Sequence, residues 1–459
     1  MNLAKDNLSK KLFEISWPIF VEFILFMLLG SVDIFMLGKY SDDAVAGIGV
    51  VNQIINMVNI LFGIITSGTS IVCAQYIGAK RSKEDVIKLV GTSLIVNLIL
   101  GSVLSIVLVV FASKILHIMN LAPELIGFSS QFLKIVGGFI FVQAISLTFT
   151  AVLRSYGKTK ICMFVTLFMN IINIIGNYIF IFGNFGAPKL GVLGSAVSTS
   201  GSKIIGAIIL GIILFTNILK GFSLSFLKKF PKQELINIFK MGGPAAGEEL
   251  SYNLTKLTCT IILTFIGTAA LTTNSYINII CMFIYVFSTS IGQGTAILVG
   301  RLVGEEKQEE AYQLCFKSLK KAFTVSTIIG ILVAVFARQI LGVFTTNEDV
   351  LTLGASVLLV NAFLEPGRTF NVIIINSLRA AGDVKFPVYI GICSMWTIGV
   401  GLSYILSIKL GLGMPGMWAA LALDEWTRGI IMNKRWRSRK WCGKGIASIN
   451  EKDKLTSVA

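Results

Sequence analysis

The chain has 459 residues, of which 54% are hydrophobic and only 14% are charged. Soluble proteins carry about 25% charged residues, so this composition argues against a soluble globular protein and predicts a polytopic membrane protein. The formal net charge of +16 does not indicate a nucleic-acid-binding protein, because the basic residues are scattered between apolar segments and form neither one face nor one tail.

The first apolar segment, from Trp17 to Gly38, carries ionisable residues inside a stretch long enough to cross a bilayer. A spanning helix needs roughly 20 apolar residues, and an acid inside one is costly enough to be a functional-site hypothesis. Glu22 and Asp33 are such acids. Pro18 removes a backbone hydrogen bond from the same helix and permits a kink, so we predict a helix hinge at Pro18.

Twelve apolar spans are predicted along the chain. Basic residues concentrate in the N-terminal segment, in alternate loops and after the last span, which predicts that both termini are cytoplasmic and that the number of spans is even. No cleavable signal is predicted, and we expect a multi-pass protein of the plasma (inner) membrane. The predicted spans are 13–37, 46–71, 89–112, 129–153, 161–183, 191–219, 235–267, 270–299, 319–341, 350–378, 386–408 and 412–433.

The fifth span carries a polar stripe. Asn170, Asn173 and Asn177 recur at a spacing that places them on one face of a helix. Asn173 and Asn177 fall at the height of Asp33, and a carboxylate with amide neighbours can hold one proton or, with carbonyl oxygens, one sodium ion. The alternatives are amides that join helices as packing contacts and an Asp33 that stays solvated near a helix end. Lys203 in the sixth span has no evident partner.

The two halves of the chain are internal copies. A constant offset of 226 residues maps Pro18 onto Pro244, Glu22 onto Glu248 and Gly78 onto Gly304. LRSYGKTK (153–160) likewise matches LRAAGDVK (378–385). Six spans separate the copies, so they have the same orientation and form parallel repeats about an axis along the membrane normal, with a central cavity where their lobes face each other.

The predicted fold class is therefore all-α, with twelve transmembrane helices in two six-helix lobes related by a pseudo-twofold repeat. Residues 220–234 are basic, contain a proline and lack a spanning apolar run, so they are predicted to link the lobes on the cytoplasmic side. The predicted parts are an N-terminal lobe at 1–219, this linker at 220–234, a C-terminal lobe at 235–434 and a basic cytoplasmic tail at 435–459.

The second half has its own charged candidates. Glu248 and Glu249 in the seventh span and Glu365 in the tenth lie at similar predicted depths. Arg368 follows Glu365 by three residues, faces the same side of the helix and can neutralise it. A functional and a purely structural interpretation of Glu365 and Arg368 both remain open, whereas Glu248 and its repeat mate favour a structural role.

Charged residues of the last span are predicted to pair within one helix. Asp424 and Glu425 stand four and three residues before Arg428, which is the spacing of intrahelical ion pairs. Lys256 lies seven residues after Glu249 and two turns further out.

Motifs for other chemistries are missing from the sequence. The seven cysteines show no CxxC pair, so neither a disulfide framework nor a metal cluster is expected. The single histidine, His117, is interpreted as structural, and without a P-loop direct drive by ATP is not expected. We predict no enzyme activity and no cofactor beyond a coupling proton or sodium ion.

Several runs resemble the multidrug and toxic compound extrusion (MATE) transporters. They are SVDIFMLG (31–38), SGTSIVCAQYIGAK (67–80), LRSYGKTK (153–160) and NIINIIGNYIFIFGNFGAPKLGVLGSAVST (170–199), and the resemblance covers nearly the whole chain. It implies a V-shaped pair of six-helix lobes that exports organic cations and other amphipathic compounds by antiport with protons or sodium.

The resemblance also implies roles for individual residues. It implies a first-lobe ion site at Asp33, Asn173 and Asn177, where Asp33 would be the metal ligand if the ion is sodium, and a bending proline at Pro18. The second lobe departs from the better-known bacterial members. Tyr252 and Arg368 stand where those members carry acids.

The predicted function is a secondary active multidrug exporter that acts on small organic compounds in the lipid bilayer and works as a monomer. One alternative is a flippase of lipid-linked precursors from the same superfamily, for which Arg368 argues and the acidic and amide character of the first lobe does not. The other is a non-transporting membrane receptor or a channel, which would not accumulate compounds against a gradient.

Overall fold

The computed structural model describes residues 2–222 and 231–446, with side chains from residue 8 onward. The predicted linker and tail lie partly outside these ranges. The long helices are α1 (Asn2–Gly38), α2 (Asp42–Gly78), α3 (Lys83–Val110), α5 (Pro123–Gly138), α6 (Ile140–Ser155), α7 (Thr159–Phe182), α8 (Val192–Asn217), α9 (Lys232–Ile266), α10 (Thr268–Gly304), α11 (Gln308–Val335), α13 (Glu348–Ala380), α14 (Lys385–Ser394) and α15 (Gly413–Arg437). Short helices α4 (Ala112–Ile118) and α12 (Ala337–Gly342) lie between them, and α14 continues as π-helix to Lys409.

Twelve helical segments of spanning length occur in these two described ranges, one for each predicted span. Nine are apolar enough to cross a membrane by composition, and a tenth consists of α5 and α6, which meet at a 43° bend. The other two, α9 and α15, have 35 and 25 residues but carry more charged and polar side chains. The predicted all-α polytopic fold is confirmed. Where one continuous fourth span was predicted, the helix breaks at Phe139.

The internal repeat is visible in the helix lengths. α2 and α10 both have 37 residues, and α10 begins and ends 226 residues after α2. α3 and α11 both have 28 residues, and each is followed by a short helix. The bent pair α5 and α6 corresponds to α13, which is continuous over 33 residues. The two halves therefore have corresponding helices in the same order.

The chain divides into two compact units. The N-terminal unit comprises 21–73 and 81–243, and the C-terminal unit comprises the described residues of 1–20, 74–80 and 244–459. The N-terminal core includes Val51, Phe62 and Leu133, and the C-terminal core includes Leu263 and Val357.

The outer surface of the helices is apolar, as expected for contact with lipid. On α3, Ile99, Val103, Ile106 and Val110 are exposed on one face. The opposite face buries small and polar residues, including Asn97, whose side chain donates a 2.7 Å hydrogen bond to Thr148 on α6. Buried polar contacts with an apolar exterior are typical of membrane helices, where lipid supplies no hydrogen bonds.

Two ion pairs repeat between the halves and tie corresponding helices together. Glu22 on α1 contacts Arg154 on α6 at 2.9 Å, and Glu248 on α9 contacts Arg379 on α13 at 2.5 Å. Both arginines lie in the matched LRSYGKTK and LRAAGDVK segments. A pair kept in both copies supports the structural interpretation of Glu22 and Glu248.

We predict that Arg379→Met destabilises the protein. The change leaves the buried Glu248 carboxylate without its cation, and breaking a buried pair from one side costs on the order of 3 kcal/mol. The measurement is the thermal unfolding temperature of the detergent-purified protein, followed by size-exclusion chromatography after heating.

Arg379→Met combined with Glu248→Gln removes both charges and should recover most of the lost stability. A double variant as unstable as the single one would show that the arginine acts through packing and not through its charge.

Candidate functional site

Asp33 lies near the end of α1, and neutral hydrogen-bond donors from two other helices hold its carboxylate. Asn177 on α7 donates from Nδ2 to Asp33 Oδ1 at 2.5 Å. Thr199 on α8 donates from Oγ1 to Asp33 Oδ2 at 3.3 Å. Both carboxylate oxygens are therefore bound by uncharged groups of the N-terminal unit.

The predicted asparagine stripe of α7 lines this site. Asn173 donates from Nδ2 to Thr199 Oγ1 at 3.2 Å, and its Oδ1 accepts from Asn177 Nδ2 at 3.2 Å. Lower on the same face, Asn170 donates to the backbone carbonyl of Leu25 on α1 at 2.7 Å. The stripe lies on one helix face, as its spacing predicts, and joins α7 to α1 and α8.

Glycines allow α7 and α8 to approach closely enough for these contacts. A Cβ atom on Gly194 of α8 would collide with the backbone of Phe180 on α7, and one on Gly176 of α7 would press on Ser198 of α8. Between the helices, Gly183 takes a φ of 78°, a left-handed conformation that glycine adopts at no steric cost. Backbone contact at these points sets the distance between the asparagines and Thr199.

Two residues of α8 complete the surroundings of Asp33. The sequence does not predict Thr199 as a site residue and predicts no partner for Lys203. Lys203 stands four residues after Thr199, hence on the same helix face, and its positive charge attracts the Asp33 carboxylate. No ion pair of Lys203 occurs in the part of the chain that the structure describes. In the sequence, the four-residue spacing of Thr199 and Lys203 is the signal that places both side chains on one face of α8.

The oxygen atoms at this site suit a hard cation as well as a proton. Asn177 Oδ1 is buried and has no hydrogen-bond partner among the described residues, so an acceptor remains beside the carboxylate. Carboxylate, amide and hydroxyl oxygens are the ligands that such cations take. Asp33 supplies the charge, and Asn173, Asn177 and Thr199 supply neutral oxygens. The positive charge of Lys203 opposes the binding of a cation at these oxygen atoms.

Amide partners permit the carboxyl group to change its charge. An asparagine side chain both donates and accepts hydrogen bonds, whereas an arginine only donates. Asn177 can therefore donate to an ionised Asp33 and, through its unpartnered Oδ1, accept from a protonated one.

The predicted candidates of the C-terminal unit separate into three environments. Glu248 pairs with Arg379. The side chain of Glu249 is exposed. Glu365 is fully buried and contacts Arg368 at 2.6 Å, as its spacing in the sequence suggests. The structure therefore does not bring these acids together in one cluster.

The last helix forms the predicted intrahelical pairs. Arg428 contacts Asp424 at 2.7 Å and Glu425 at 3.1 Å. Glu425 also lies 3.6 Å from Arg368 Nε and accepts from Asn371 Nδ2 at 2.8 Å. With Glu365 on Arg368, these charges form one network of three carboxylates and two arginines.

Pro18 lies inside α1, which remains helical on both sides of it. Because proline has no N–H group, the carbonyl of Glu14 loses its usual intrahelical donor at this turn. The role of Pro18 as a hinge stays a prediction.

Comparison with known proteins identifies the family. The family model described as MatE matches twice, at residues 18–179 and 244–405. The chain belongs to the MatE family. Both matched ranges are offset by the 226 residues of the internal repeat, which confirms the duplication and makes this an integral membrane protein of a transporter family.

Relatives of this MatE protein extend over nearly its whole length. "Uncharacterized transporter YisQ" of Bacillus subtilis (strain 168) is 44% identical over 436 residues, which cover 95% of this chain and 96% of the relative. "Probable multidrug resistance protein NorM" of Thermotoga maritima is 28% identical over 443 residues, covering 95% and 93%.

Solved structures share the fold. A MATE crystal structure in the bent conformation matches with a TM-score of 0.87 at 20% identity, covering 94% of this chain and 95% of the other. A MATE structure in the straight conformation matches with a TM-score of 0.85 at 20% identity, covering 94% and 96%.

We predict that Gly194→Ala disturbs the Asp33 site. The new methyl group has to push α8 away from the Phe180 backbone, and such overpacking costs roughly 1–3 kcal/mol. The thermal unfolding temperature should fall, and transport should fall with it.

Gly201→Ala is the matched control on the same helix, because no atom lies within 4 Å of the added Cβ. It should be neutral or slightly stabilising, since alanine is the better helix former by up to about 1 kcal/mol. Equal losses in both variants would contradict the role of close packing at Gly194.

Proposed function

We propose that this protein is a secondary active exporter of amphipathic organic compounds, driven by antiport with an ion that binds at Asp33. The observation that carries the proposal is a membrane-embedded carboxylate bound by amide and hydroxyl groups instead of an arginine. A site of this kind can load and release one positive charge. The names of its relatives, which include a transporter and probable multidrug resistance proteins, support the same activity.

The proposed cycle begins when Asp33 takes up an ion from outside. Neutralising the carboxylate changes its hydrogen bonds with Asn177 and Thr199, so α1 shifts against α7 and α8, with Pro18 as the flexible point. The compound leaves outward. The protein then returns to the inward-facing state, where the ion is released to the cytoplasm and the next compound binds.

A proton fits this site better than sodium as the coupling ion. When Asp33 is ionised, Lys203 partly balances its charge, and a sodium ion bound to Asp33 has to overcome that positive charge. A proton, in contrast, binds the carboxylate directly and needs no ring of oxygen ligands. We propose proton antiport on this ground, in a plasma membrane with both termini in the cytoplasm.

We predict that Asp33→Asn abolishes ion-driven transport. The amide keeps the size and hydrogen bonding of the side chain but cannot bind a proton. In proteoliposomes with an imposed pH gradient, ethidium transport by the variant should fall to the rate of protein-free liposomes. The matched control is Asp43→Asn at an exposed position in the first turn of α2, which should transport like the parent protein.

Gradient-driven accumulation by Asp33→Asn at the parental rate would contradict the proposal. Equilibration of ethidium that never exceeds the external concentration, in the parent as well, would identify a channel. Movement of lipid-linked saccharides without movement of ethidium would identify a flippase.

We predict that the coupling ion is a proton and that Lys203 is what excludes sodium. The parent protein should respond to an imposed pH gradient and not to a sodium gradient, whereas Lys203→Met should gain a response to sodium because the repelling charge is gone. A parent protein that uses sodium as well as protons would contradict the assignment of Lys203.

A further inference from the structure

The chain that follows α15 turns back and lies across the ends of other helices of the C-terminal unit. We call residues 438–446 of this chain the strap. Arg439 and Gly443 take left-handed φ values of 55° and 76°, which turn the chain at both places. Trp441 is 1% exposed and stacks on Trp436 with their ring centroids 4.1 Å apart. The strap is therefore a packed part of the unit.

One buried carboxylate fixes the strap to the turn between α13 and α14. Asp383 in this turn is 2% exposed. It accepts from Arg435 Nε of α15 at 2.7 Å and from Lys444 Nζ of the strap at 2.6 Å. A Cβ atom on Gly382 would collide with the carbonyl oxygen of Lys444, so the backbone of the strap passes directly over the turn.

The strap also binds a side chain near the end of α2. Gln75 is fully buried, and its Oε1 accepts from the backbone N–H of Ile446 at 2.8 Å. Its Nε2 donates to the carbonyl of Ala380, the last residue of α13, at 2.7 Å. All three residues belong to the C-terminal unit. The end of α2 therefore cannot move away from α13 and the strap unless both bonds break.

Under the strap, α2 and α10 touch at their backbones. A Cβ atom on Gly304 of α10 would collide with the carbonyl oxygen of Gln75. Gly445 of the strap packs over this contact, because a Cβ atom there would lie 3.0 Å from Val303 Cγ1 and 3.3 Å from Gln75 Oε1. The strap thus covers the place where the two helices meet.

We propose that the strap must leave Gln75 during transport, and that Gln75 is the positioning residue that holds α2 against α13 until then. The contacts suit reversible release. Water can replace the partners of Gln75 and Asp383 once the strap has left, and the Lys444 side chain is already 39% exposed. The left-handed conformation of Arg439 is unfavourable for a residue with a Cβ atom, which also favours release.

The place of this step in the cycle rests on the proposed function, in which both termini are cytoplasmic and the protein opens inward to bind a compound. In that orientation the strap lies on the cytoplasmic side. While it is docked, α2 and α13 cannot part at this end. A docked strap therefore stabilises a state that is closed toward the cytoplasm, and its release permits the inward-facing state.

A disulfide between Val303→Cys and Gly445→Cys tests whether the strap has to leave. Val303 Cγ1 marks the position of one new sulfur, and its distance of 3.0 Å from the Cβ atom at position 445 suits a disulfide. Cys442→Ser is added to remove the neighbouring free thiol. Hydrogen exchange of the full-length protein in nanodiscs is measured by mass spectrometry after oxidation and again after reduction with dithiothreitol.

Oxidation should slow exchange at residues 74–80 at least about fivefold, because exchange there follows opening of the helix end. In proteoliposomes with a pH gradient, oxidation should lower ethidium transport at least about tenfold, since a protein held in one state cannot complete a cycle between two. Reduction should reverse both effects. The control variant Val303→Cys with Cys442→Ser should show neither.

Two further variants test how the strap is held. Asp383→Asn removes the charge that binds Lys444 and should speed exchange at residues 74–80 at least about threefold, because charge-assisted bonds are the strong ones. Glu309→Gln is the matched control. Its pair with Arg439 is exposed, and exposed pairs contribute little, so this variant should exchange like the parent.

The role of Gln75 has its own variant. In Gln75→Leu the disulfide should still form, but it should no longer slow exchange at residues 74–80, because the side chain that links the strap to α2 is gone.

The proposal is overturned if the oxidised protein exchanges at residues 74–80 like the reduced one, or if it transports ethidium equally fast. A parent protein that moves no ethidium would contradict the proposed function instead, and the exchange measurement would still decide whether the strap holds α2.

Discussion

Charge inside a membrane protein must be compensated, and this requirement organises both units. An isolated ion in an apolar interior loses its hydration and costs several kcal/mol or more. Every buried acidic side chain in the described ranges contacts an arginine, and these acids are Glu22, Glu248, Glu365, Asp383, Asp424 and Glu425. Asp33 is partly buried and is held by amide and hydroxyl groups instead.

This difference separates acids that hold the structure together from an acid that can change its charge. An arginine remains protonated at all physiological pH values. Its positive charge therefore always stabilises the ionised form of a carboxylate paired with it. Asn177 and Thr199 impose no such condition on Asp33. In the proposed mechanism, the fixed pairs keep the helices joined while the Asp33 carboxyl group exchanges a proton.

The repeat gives both units the same fixed pairs but different polar centres. The Glu22 pair and the Glu248 pair occupy equivalent places in the two copies. Beyond them, the N-terminal unit has an amide-lined carboxylate, whereas the C-terminal unit has a network of alternating arginines and acids beside Lys256. The two copies therefore share their helices and the Glu–Arg pairs, but they differ in the polar residues buried beyond those pairs.

Regular features of this fold can be read from the sequence, because they depend on spacing along one chain segment. The offset between Pro18 and Pro244 locates the repeat, and the spacing of Asn170, Asn173 and Asn177 places them on one helix face. Contacts between distant segments carry no such local signal.

For that reason the sequence did not pair Glu22 with Arg154 or Glu248 with Arg379. It also did not single out Thr199, because a threonine in a run of small residues looks like ordinary helix packing. The break at Phe139 is similarly hidden, since the residues around it are apolar on both sides. Exposure of Glu249 depends on how α9 is rotated against its neighbours, which one helix alone does not determine.

Infrared difference spectroscopy of the protein in a bilayer tests most directly whether Asp33 exchanges a proton during its work. Spectra recorded with and without a transported compound, at a pH where the carboxyl group is protonated, should show loss of one protonated carboxyl band when the compound binds. The band should be missing from Asp33→Asn and present in Asp43→Asn. A carboxyl band that is unchanged by the compound, or that persists in Asp33→Asn, would contradict the account.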